Sequence, residues 1–126
     1  MKPELISLTP SEWRVMERLW QGDATLMELV RTLNQQAGWA KSTVSTMVRR
    51  MEDKGLIGHT ESGRAKVFHA NLRREQAAAA ETESLLSWVY HGSVGLMVNA
   101  LVQRGRLTQD DLDQLYAILQ REEGTS

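Results

Sequence analysis

Hydroxyl and guanidinium side chains recur at helical spacing in the segment from Lys41 to Lys54. On a helical wheel the apolar residues of this segment fall on one side, and Ser42, Thr46 and Arg49 fall on the opposite side. Hydroxyls can hydrogen-bond to bases and phosphates, threonine methyl groups can touch thymine methyl groups, and arginine can bridge guanine or hold a phosphate. The segment is therefore a candidate recognition helix for the major groove of DNA, although an ordinary polar surface helix has a similar pattern.

A predicted β-hairpin follows the candidate recognition helix. Two extended runs, from Leu56 to Thr60 and from Lys66 to Ala70, flank a turn over residues 61–65 that contains Gly63. Arg64 in the turn and Lys66 on the return strand could reach a phosphate backbone or a minor groove, although a solvated turn would have the same composition. The side chains that we expect to contact DNA are Lys41, Ser42, Thr43, Ser45, Thr46, Arg49, Arg50, Arg64 and Lys66.

The net charge of −1 conceals a division along the chain. Residues 1–74 contain four lysines and eight arginines against eight acidic residues, which gives +4. Residues 75–126 contain three arginines against eight acidic residues, which gives −5. Because a basic surface attracts polyanions such as nucleic acid and an acidic one is repelled by them, the two halves are expected to have different roles.

Helix starts and stops place two further helices before the candidate recognition helix. Thr9 and Thr25 each precede a glutamate by three residues, Glu12 and Glu28, which is the pattern of a capping box. Gly55 follows the third helix at a position where a positive φ favours glycine. In the second helix, the apolar positions that we expect to face the core are Met27, Leu29, Val30 and Leu33, and Trp13, Trp20 and Trp39 are interpreted as core residues.

The second half of the chain is helical and rich in apolar side chains. Residues 84–103 include no Asp, Glu, Lys or Arg, but serines, glycines and an asparagine interrupt this run, so membrane insertion is not expected. Two or three helices cannot bury so much apolar surface alone, and a second copy of the chain would cover it; packing on the chain's own N-terminal half is the alternative. The expected dimerisation residues are Leu85, Leu86, Trp88, Val89, Leu96, Met97, Leu101, Leu112, Leu115 and Leu119.

Several kinds of chemistry are excluded by composition or lack support in the sequence. The chain has no cysteine, so thiolate metal sites and cysteine nucleophiles are impossible. His59, His69 and Glu61 could imitate a metal site if the two histidines lay opposite each other on the strands, but no further ligand at regular spacing accompanies them. We therefore expect no metal, no cofactor and no enzyme activity, and a small metal-dependent enzyme built on these histidines remains as an alternative.

Three helices followed by a hairpin are the order of a winged helix-turn-helix. The sequence predicts a mainly α-helical fold: a winged helix-turn-helix domain of three helices plus a β-hairpin wing at residues 1–72, and a helical dimerisation domain at residues 73–126. The function expected from these features is reading double-stranded DNA. The alternative is a winged-helix module that binds proteins and never touches DNA.

The chain also resembles a known family. Glu12 to Met16, Ser42 to Val44, Lys54 to Ile57, Leu96 to Asn99 and Leu107 to Leu119 are similar, in this order and spacing, to the penicillinase-repressor family of BlaI, MecI and CopY type. The resemblance covers nearly the whole chain. It implies a cytoplasmic, homodimeric winged-helix transcriptional repressor that binds an operator with dyad symmetry through the helix at residues 41–54.

The resemblance further implies a way of switching the repressor off by cleavage or loss of dimerisation. In the β-lactam branch of the family, a membrane sensor with a protease domain triggers cleavage within the dimerisation helices, at an asparagine followed by a bulky apolar residue. The matching bond here is Asn99–Ala100, where alanine departs from the pattern. The copper branch carries a C-terminal cysteine cluster, which this chain lacks, and Ser45 stands where the family often has a basic side chain.

Overall fold

The structure is a computed structural model that describes residues 7–125, with side-chain exposure described for residues 7–123. The chain forms two compact units that divide between Glu83 and Ser84. The elements are α1 (Pro10–Trp20), β1 (Ala24–Thr25), α2 (Leu26–Ala37), α3 (Lys41–Asp53), β2 (Ile57–Ser62), β3 (Ala65–Ala70), α4 (Arg74–Trp88), α5 (Val94–Gln103) and α6 (Gln109–Thr125). The predicted mainly helical class, with three helices followed by a hairpin, is confirmed.

Both predicted capping boxes are present. The hydroxyl of Thr9 accepts a hydrogen bond from the backbone N–H of Glu12 at 3.1 Å, and the Glu12 carboxylate accepts one from the backbone N–H of Thr9 at 2.9 Å. Thr25 and Glu28 repeat this exchange at 3.2 Å and 2.8 Å at the start of α2. Because each box satisfies two backbone donors that a helix end leaves free, the starts of α1 and α2 are fixed by local sequence.

Apolar side chains from α1, α2, α3 and the sheet form the core of the first unit. The largest side chains that are fully buried are Val15, Met16, Leu29, Leu33, Val44, Met51, Leu56 and Ile57. Trp13, Trp20 and Trp39 pack against this core and are partly buried, as their interpretation as core residues predicted. The prediction for Met27 was wrong: its side chain is 55% exposed, because the second position of α2 points away from the face that carries Leu29 and Leu33.

The sheet has three antiparallel strands in the order β1-β3-β2. The two residues of β1 pair with Phe68 and Val67 of β3, and this strand was not predicted. Ser62 pairs with Ala65, so the hairpin turn contains two residues, Gly63 and Arg64, rather than the five predicted. Gly63 has a φ of +64°, which a glycine adopts without strain.

The strand register corrects the idea that the two strand histidines face each other. His59 pairs with Phe68, and His69 pairs with Gly58. Because directly paired residues share a face and neighbours along a strand alternate, His59 and His69 lie on opposite faces of the sheet. In the described part of the chain, no group of three or more histidines, aspartates and glutamates could hold a metal ion.

The second unit contains the end of α4 together with α5 and α6. His91 and Gly92 both have positive φ in the turn that ends α4, and the Ser93 hydroxyl accepts a hydrogen bond from the N–H of Leu96 at 3.1 Å to begin α5. No side chain between residues 84 and 123 is buried. No helix in the described part of the chain is long and apolar enough to cross a bilayer.

Candidate nucleic-acid interface

The helix α3 is held by one face and exposes the other. Val44, Val48 and Met51 are buried in the core of the first unit. The predicted DNA-contacting residues lie on the remaining surface of α3: Lys41, Ser42, Thr43, Arg49 and Arg50 are exposed, and Ser45 and Thr46 are partly exposed. This division follows from the helical period, because apolar residues three and four positions apart occupy one side.

Two grooves flank the exposed face of α3. The first, here called the wing groove, lies between α3, the start of α2 and the hairpin. It is lined by Thr25, Leu26, Met27, Ser45, Val48, Arg49, Glu52, Arg64, Ala65, Lys66 and Phe68. The second, here called the outer groove, is lined by Ser42, Thr43, Thr46, Met47 and Arg50.

The two grooves divide the predicted contacts into two sets. Ser45 and Arg49 of α3 share the wing groove with Arg64 and Lys66 of the hairpin. Ser42, Thr43, Thr46 and Arg50 share the outer groove. Lys41 is exposed at the first turn of α3 but lines neither groove. The structure therefore brings the hairpin cations beside one edge of α3 and leaves the other edge to hydroxyls and Arg50.

The sequence predicted Ser45, Arg49, Arg64 and Lys66 as contacts but did not predict the other residues that line the wing groove, including Met27 and Glu52. Met27 was expected in the core, and Glu52 was not among the predicted contacts. The signal for Met27 was its place in the first turn of α2, two positions after the Thr25 cap, where side chains are often solvent-exposed. Its spacing alone did not distinguish it from the apolar positions that face the core. The contact that explains Glu52 involves His59 on β2, which is distant in sequence and depends on the strand register.

Two of the basic residues in the segment from Trp39 to Arg74 have acidic partners. The Nζ atom of Lys54 lies 2.6 Å from a carboxylate oxygen of the buried Glu12. Arg74 donates to both oxygens of Glu17 at 3.0 Å and 3.3 Å. The hydrogen bonds and charge of Glu17 hold the pKa of Arg74 above its ordinary value. These two cations are paired within the first unit, so most of the remaining positive charge of this segment lies on α3 and the hairpin.

The start of α3 differs from the starts of α1 and α2. Its N-cap residue, Ala40, makes no side-chain hydrogen bond to the first turn. Backbone N–H groups at a helix start attract anions and are a common contact for DNA phosphates. Lys41 and Ser42, which are exposed at this turn, add a positive charge and a hydroxyl.

The sequence profile of the penicillinase repressor family matches residues 8–121. The chain belongs to the penicillinase repressor family. This confirms the predicted family and the coarse prediction of a DNA-binding transcriptional repressor with a winged-helix fold. Since the match extends from α1 to α6, both units of the chain are part of the family's common region.

Curated relatives agree with this membership over almost their whole length. The penicillinase repressor of Bacillus licheniformis is 25% identical over 114 residues, which cover 90% of this chain and 89% of the relative. The methicillin resistance regulatory protein MecI of Staphylococcus aureus is 21% identical over 122 residues, which cover 96% of this chain and 99% of MecI. The chain therefore aligns with these relatives along most of its length but differs from them at most positions.

Two solved structures are similar to the chain. The complex structure of hsRosR-S4 aligns with a TM-score of 0.58 at 13% identity, over 98% of this chain and 96% of that one, which indicates a shared fold. The solution structure of the DNA-binding domain of the repressor BlaI aligns with a TM-score of 0.46 at 25% identity, over 60% of this chain and 84% of that one. The residues that contact DNA in this repressor stay a prediction.

Proposed function

We propose that this chain is a homodimeric repressor that reads an operator with dyad symmetry through α3 of each protomer. The observation that carries the proposal is the exposed face of α3, which presents hydroxyls and two arginines beside the hairpin cations Arg64 and Lys66. A helix of this kind fits the major groove, and a basic wing fits the adjacent backbone. A repressor of this kind works where the chromosome lies, which in a bacterium is the cytoplasm.

The two grooves suggest a division between affinity and base discrimination. Arg49, Arg64 and Lys66 in the wing groove are suited to neutralise phosphates, and binding should therefore weaken steeply as salt rises. Thr43 and Thr46 in the outer groove can contact base edges and thymine methyl groups, and one good base contact discriminates by about 1–3 kcal/mol.

Dimerisation is supported by the apolar surface of the second unit. Eight of the ten predicted interface residues are exposed, and Trp88 is 81% exposed. Only Leu86 and Met97 of the ten are partly buried. A groove between α5 and α6 is lined by Val94, Met97, Val98, Leu101, Leu115 and Ile118, among others. A second protomer would cover this surface, and a two-fold axis would set two copies of α3 about 34 Å apart, or a multiple of that distance.

Loss of the dimer is the proposed route to inactivation. The Asn99–Ala100 bond lies inside α5, with Asn99 exposed and Ala100 partly buried. Cleavage here needs local opening of α5, because a protease binds an extended segment and not a helix. A cut would separate α6 from α4 and remove the apolar groove. The dimer would then separate into two monomers, each of which binds DNA weakly. A membrane sensor-protease pathway is the trigger that family membership suggests.

Mass spectrometry of the repressor from cells before and after exposure to a β-lactam tests this route. Fragments that end at Asn99 and begin at Ala100 are expected after exposure. An intact chain in derepressed cells would contradict cleavage and would point to another inducer.

Equilibrium binding to DNA tests whether α3 recognises the operator. The operator is taken from sites located by genome-wide footprinting, and fluorescence anisotropy is measured at several salt concentrations. Arg49→Ala and Arg50→Ala should each weaken binding and reduce the salt slope by about one ion. Arg104→Ala removes an exposed arginine from the second unit and should leave binding unchanged.

If neither α3 variant changes binding, α3 is not the recognition helix. If the wild-type chain retains no DNA even at low salt, the alternative of a protein-binding winged helix is favoured.

A further inference from the structure

Glu52 is an unexpected residue in the wing groove, which we propose faces DNA. It lines the wing groove together with Arg49, Arg64 and Lys66, and no other residue that lines this groove in the described part of the chain is acidic. A carboxylate among these cations repels phosphate, so on charge alone it should weaken DNA binding. Its presence there suggests another role, and the structure shows a contact that could provide one.

Glu52 is in direct contact with a histidine of the hairpin. The Nδ1 atom of His59 lies within hydrogen-bond reach of the Glu52 carboxylate, and both side chains are about two-thirds or more shielded from solvent. The imidazole also packs on Phe68, with ring centroids 5.7 Å apart and ring planes inclined at 59°. Phe68 is only 5% exposed and belongs to the core. The imidazole of His59 is therefore held between the ring of Phe68 and the last turn of α3.

This contact lies where the hairpin needs support. The strand β1 pairs with residues 67 and 68 of β3 and with no residue nearer the turn. The part of the hairpin from Thr60 to Lys66, which carries Arg64, thus has no third strand beside it. Among the described residues, the Glu52–His59 contact is the side-chain hydrogen bond that joins α3 directly to the hairpin.

We propose that Glu52 and His59 are positioning residues for DNA binding. Their contact fixes the hairpin relative to α3, so that Arg64 and Lys66 on one side and Ser45 and Arg49 on the other meet the same stretch of DNA backbone. A wing that is fixed before binding loses less conformational freedom when it contacts DNA. The inference rests on the proposed DNA binding and extends it to how the binding surface is shaped.

A pair of alanine variants tests the proposal by the sign of the effect. Glu52→Ala and Asp53→Ala each remove one negative charge from the last turn of α3, and alanine is the strongest helix former at either position. Asp53 is exposed and has no hydrogen bond or ion pair in the described structure. Asp53→Ala should bind the operator as tightly as wild type or more tightly. Glu52→Ala should bind it at least about threefold more weakly, in the range of measured couplings between contacting residues.

A conservative variant separates position from charge. Glu52→Gln loses the charge but keeps an oxygen that can accept the hydrogen bond of His59, so it should recover most of the affinity that Glu52→Ala loses. If Glu52→Ala tightens binding as Asp53→Ala does, or if Glu52→Gln binds no better than Glu52→Ala, the positioning role is refuted. If wild-type protein fails to bind DNA at all, the proposed function fails instead.

A double-mutant cycle shows whether the contact acts through the wing. His59→Gln is combined with Arg64→Ala, which lies in the wing groove, and separately with Arg50→Ala, which lies in the outer groove. We expect the effects of His59→Gln and Arg64→Ala to be non-additive by about threefold or more, and those with Arg50→Ala to be additive. Additivity in both combinations would mean that His59 only stabilises the fold, and it would overturn the proposal. Circular dichroism at the binding temperature checks that each variant is folded.

Discussion

Replacement of Glu12 by glutamine tests how α3 is fixed in the first unit. The Glu12 side chain is 5% exposed and bridges two elements. One carboxylate oxygen accepts from the backbone N–H of Thr9 at 2.9 Å, and the other accepts from Nζ of Lys54 at 2.6 Å. Lys54 is the C-cap residue of α3. The buried carboxylate therefore joins the first turn of α1 to the end of α3.

The size of the effect follows from the unequal burial of the two partners. Removing one member of a fully buried ion pair costs about 3–5 kcal/mol, and an exposed pair contributes about 0–1 kcal/mol. The Lys54 side chain is 53% exposed and can turn to water when its partner is lost. Glutamine keeps an oxygen for the N–H of Thr9, so the capping interaction survives. We expect Glu12→Gln to lower the free energy of unfolding by about 1–2 kcal/mol.

Urea unfolding followed by tryptophan fluorescence measures this change. The matched control is Glu17→Gln, also on α1, whose partner is Arg74 and whose pair has side chains 47% and 57% exposed. The control should lower the free energy of unfolding by less than about 1 kcal/mol. If the two variants lose equal stability, burial does not decide the strength of these pairs and the reasoning is wrong.

The same carboxylate predicts a pH dependence. Burial alone would raise the pKa of Glu12, but the hydrogen bonds from Lys54 and Thr9 and the positive charge of Lys54 outweigh it and lower the pKa. A carboxyl group with a lowered pKa binds a proton less readily in the folded chain than in the unfolded chain. Its stabilisation is complete above the ordinary carboxyl pKa of about 4.3 and is lost as the pH falls through the lower folded value. The difference between wild type and Glu12→Gln should therefore shrink below about pH 4.

Three further predictions concern the dimer, base discrimination and the hairpin. Leu101→Arg places a charge in the α5–α6 groove and should shift sedimentation from dimer to monomer, with a monomeric wild type contradicting the proposal. Thr46→Val should change the difference in binding free energy between operator variants by about 1–3 kcal/mol in a competition assay, and an unchanged ranking would show that Thr46 does not contact bases. Gly58→Ala should lower the melting temperature, because its Cβ would lie 2.9 Å from Nε2 of His69, whereas Gly95→Ala meets nothing closer than 3.8 Å and should not.

Local signals in the sequence were sufficient for most helices. The capping boxes at Thr9 and Thr25 depend on residues three positions apart, and the structure contains both. The end of α2 at Gly38, with a φ of +70°, is equally local. Burial was harder to predict, because a glutamate in a capping box is usually exposed, and nothing near Glu12 in sequence indicates that Lys54 covers it.

Features that depend on contacts distant in sequence could not be predicted. A strand as short as β1 has no periodicity, and its pairing with β3 appears only in the folded chain. The register of the hairpin depends on its turn, and a shift of one residue moves a side chain to the other face of the sheet. The predicted five-residue turn did not determine whether His59 and His69 lie on the same face of the sheet. The observed two-residue turn places His59 opposite Phe68 and beside Glu52.

The proposed dimer also explains how a small binding face could control transcription. Each first unit offers one helix and one wing, which is a small surface for DNA affinity at cellular salt. Joining two such units makes the second contact intramolecular, with an effective concentration near millimolar for a short linkage. At micromolar protein this is about a thousandfold, or about 4 kcal/mol. Any event that opens the apolar contacts of α5 and α6 would remove this gain while every DNA-contacting side chain stays intact. Operator release in the Leu101→Arg variant, with its half-site affinity unchanged, is the result that this reasoning requires.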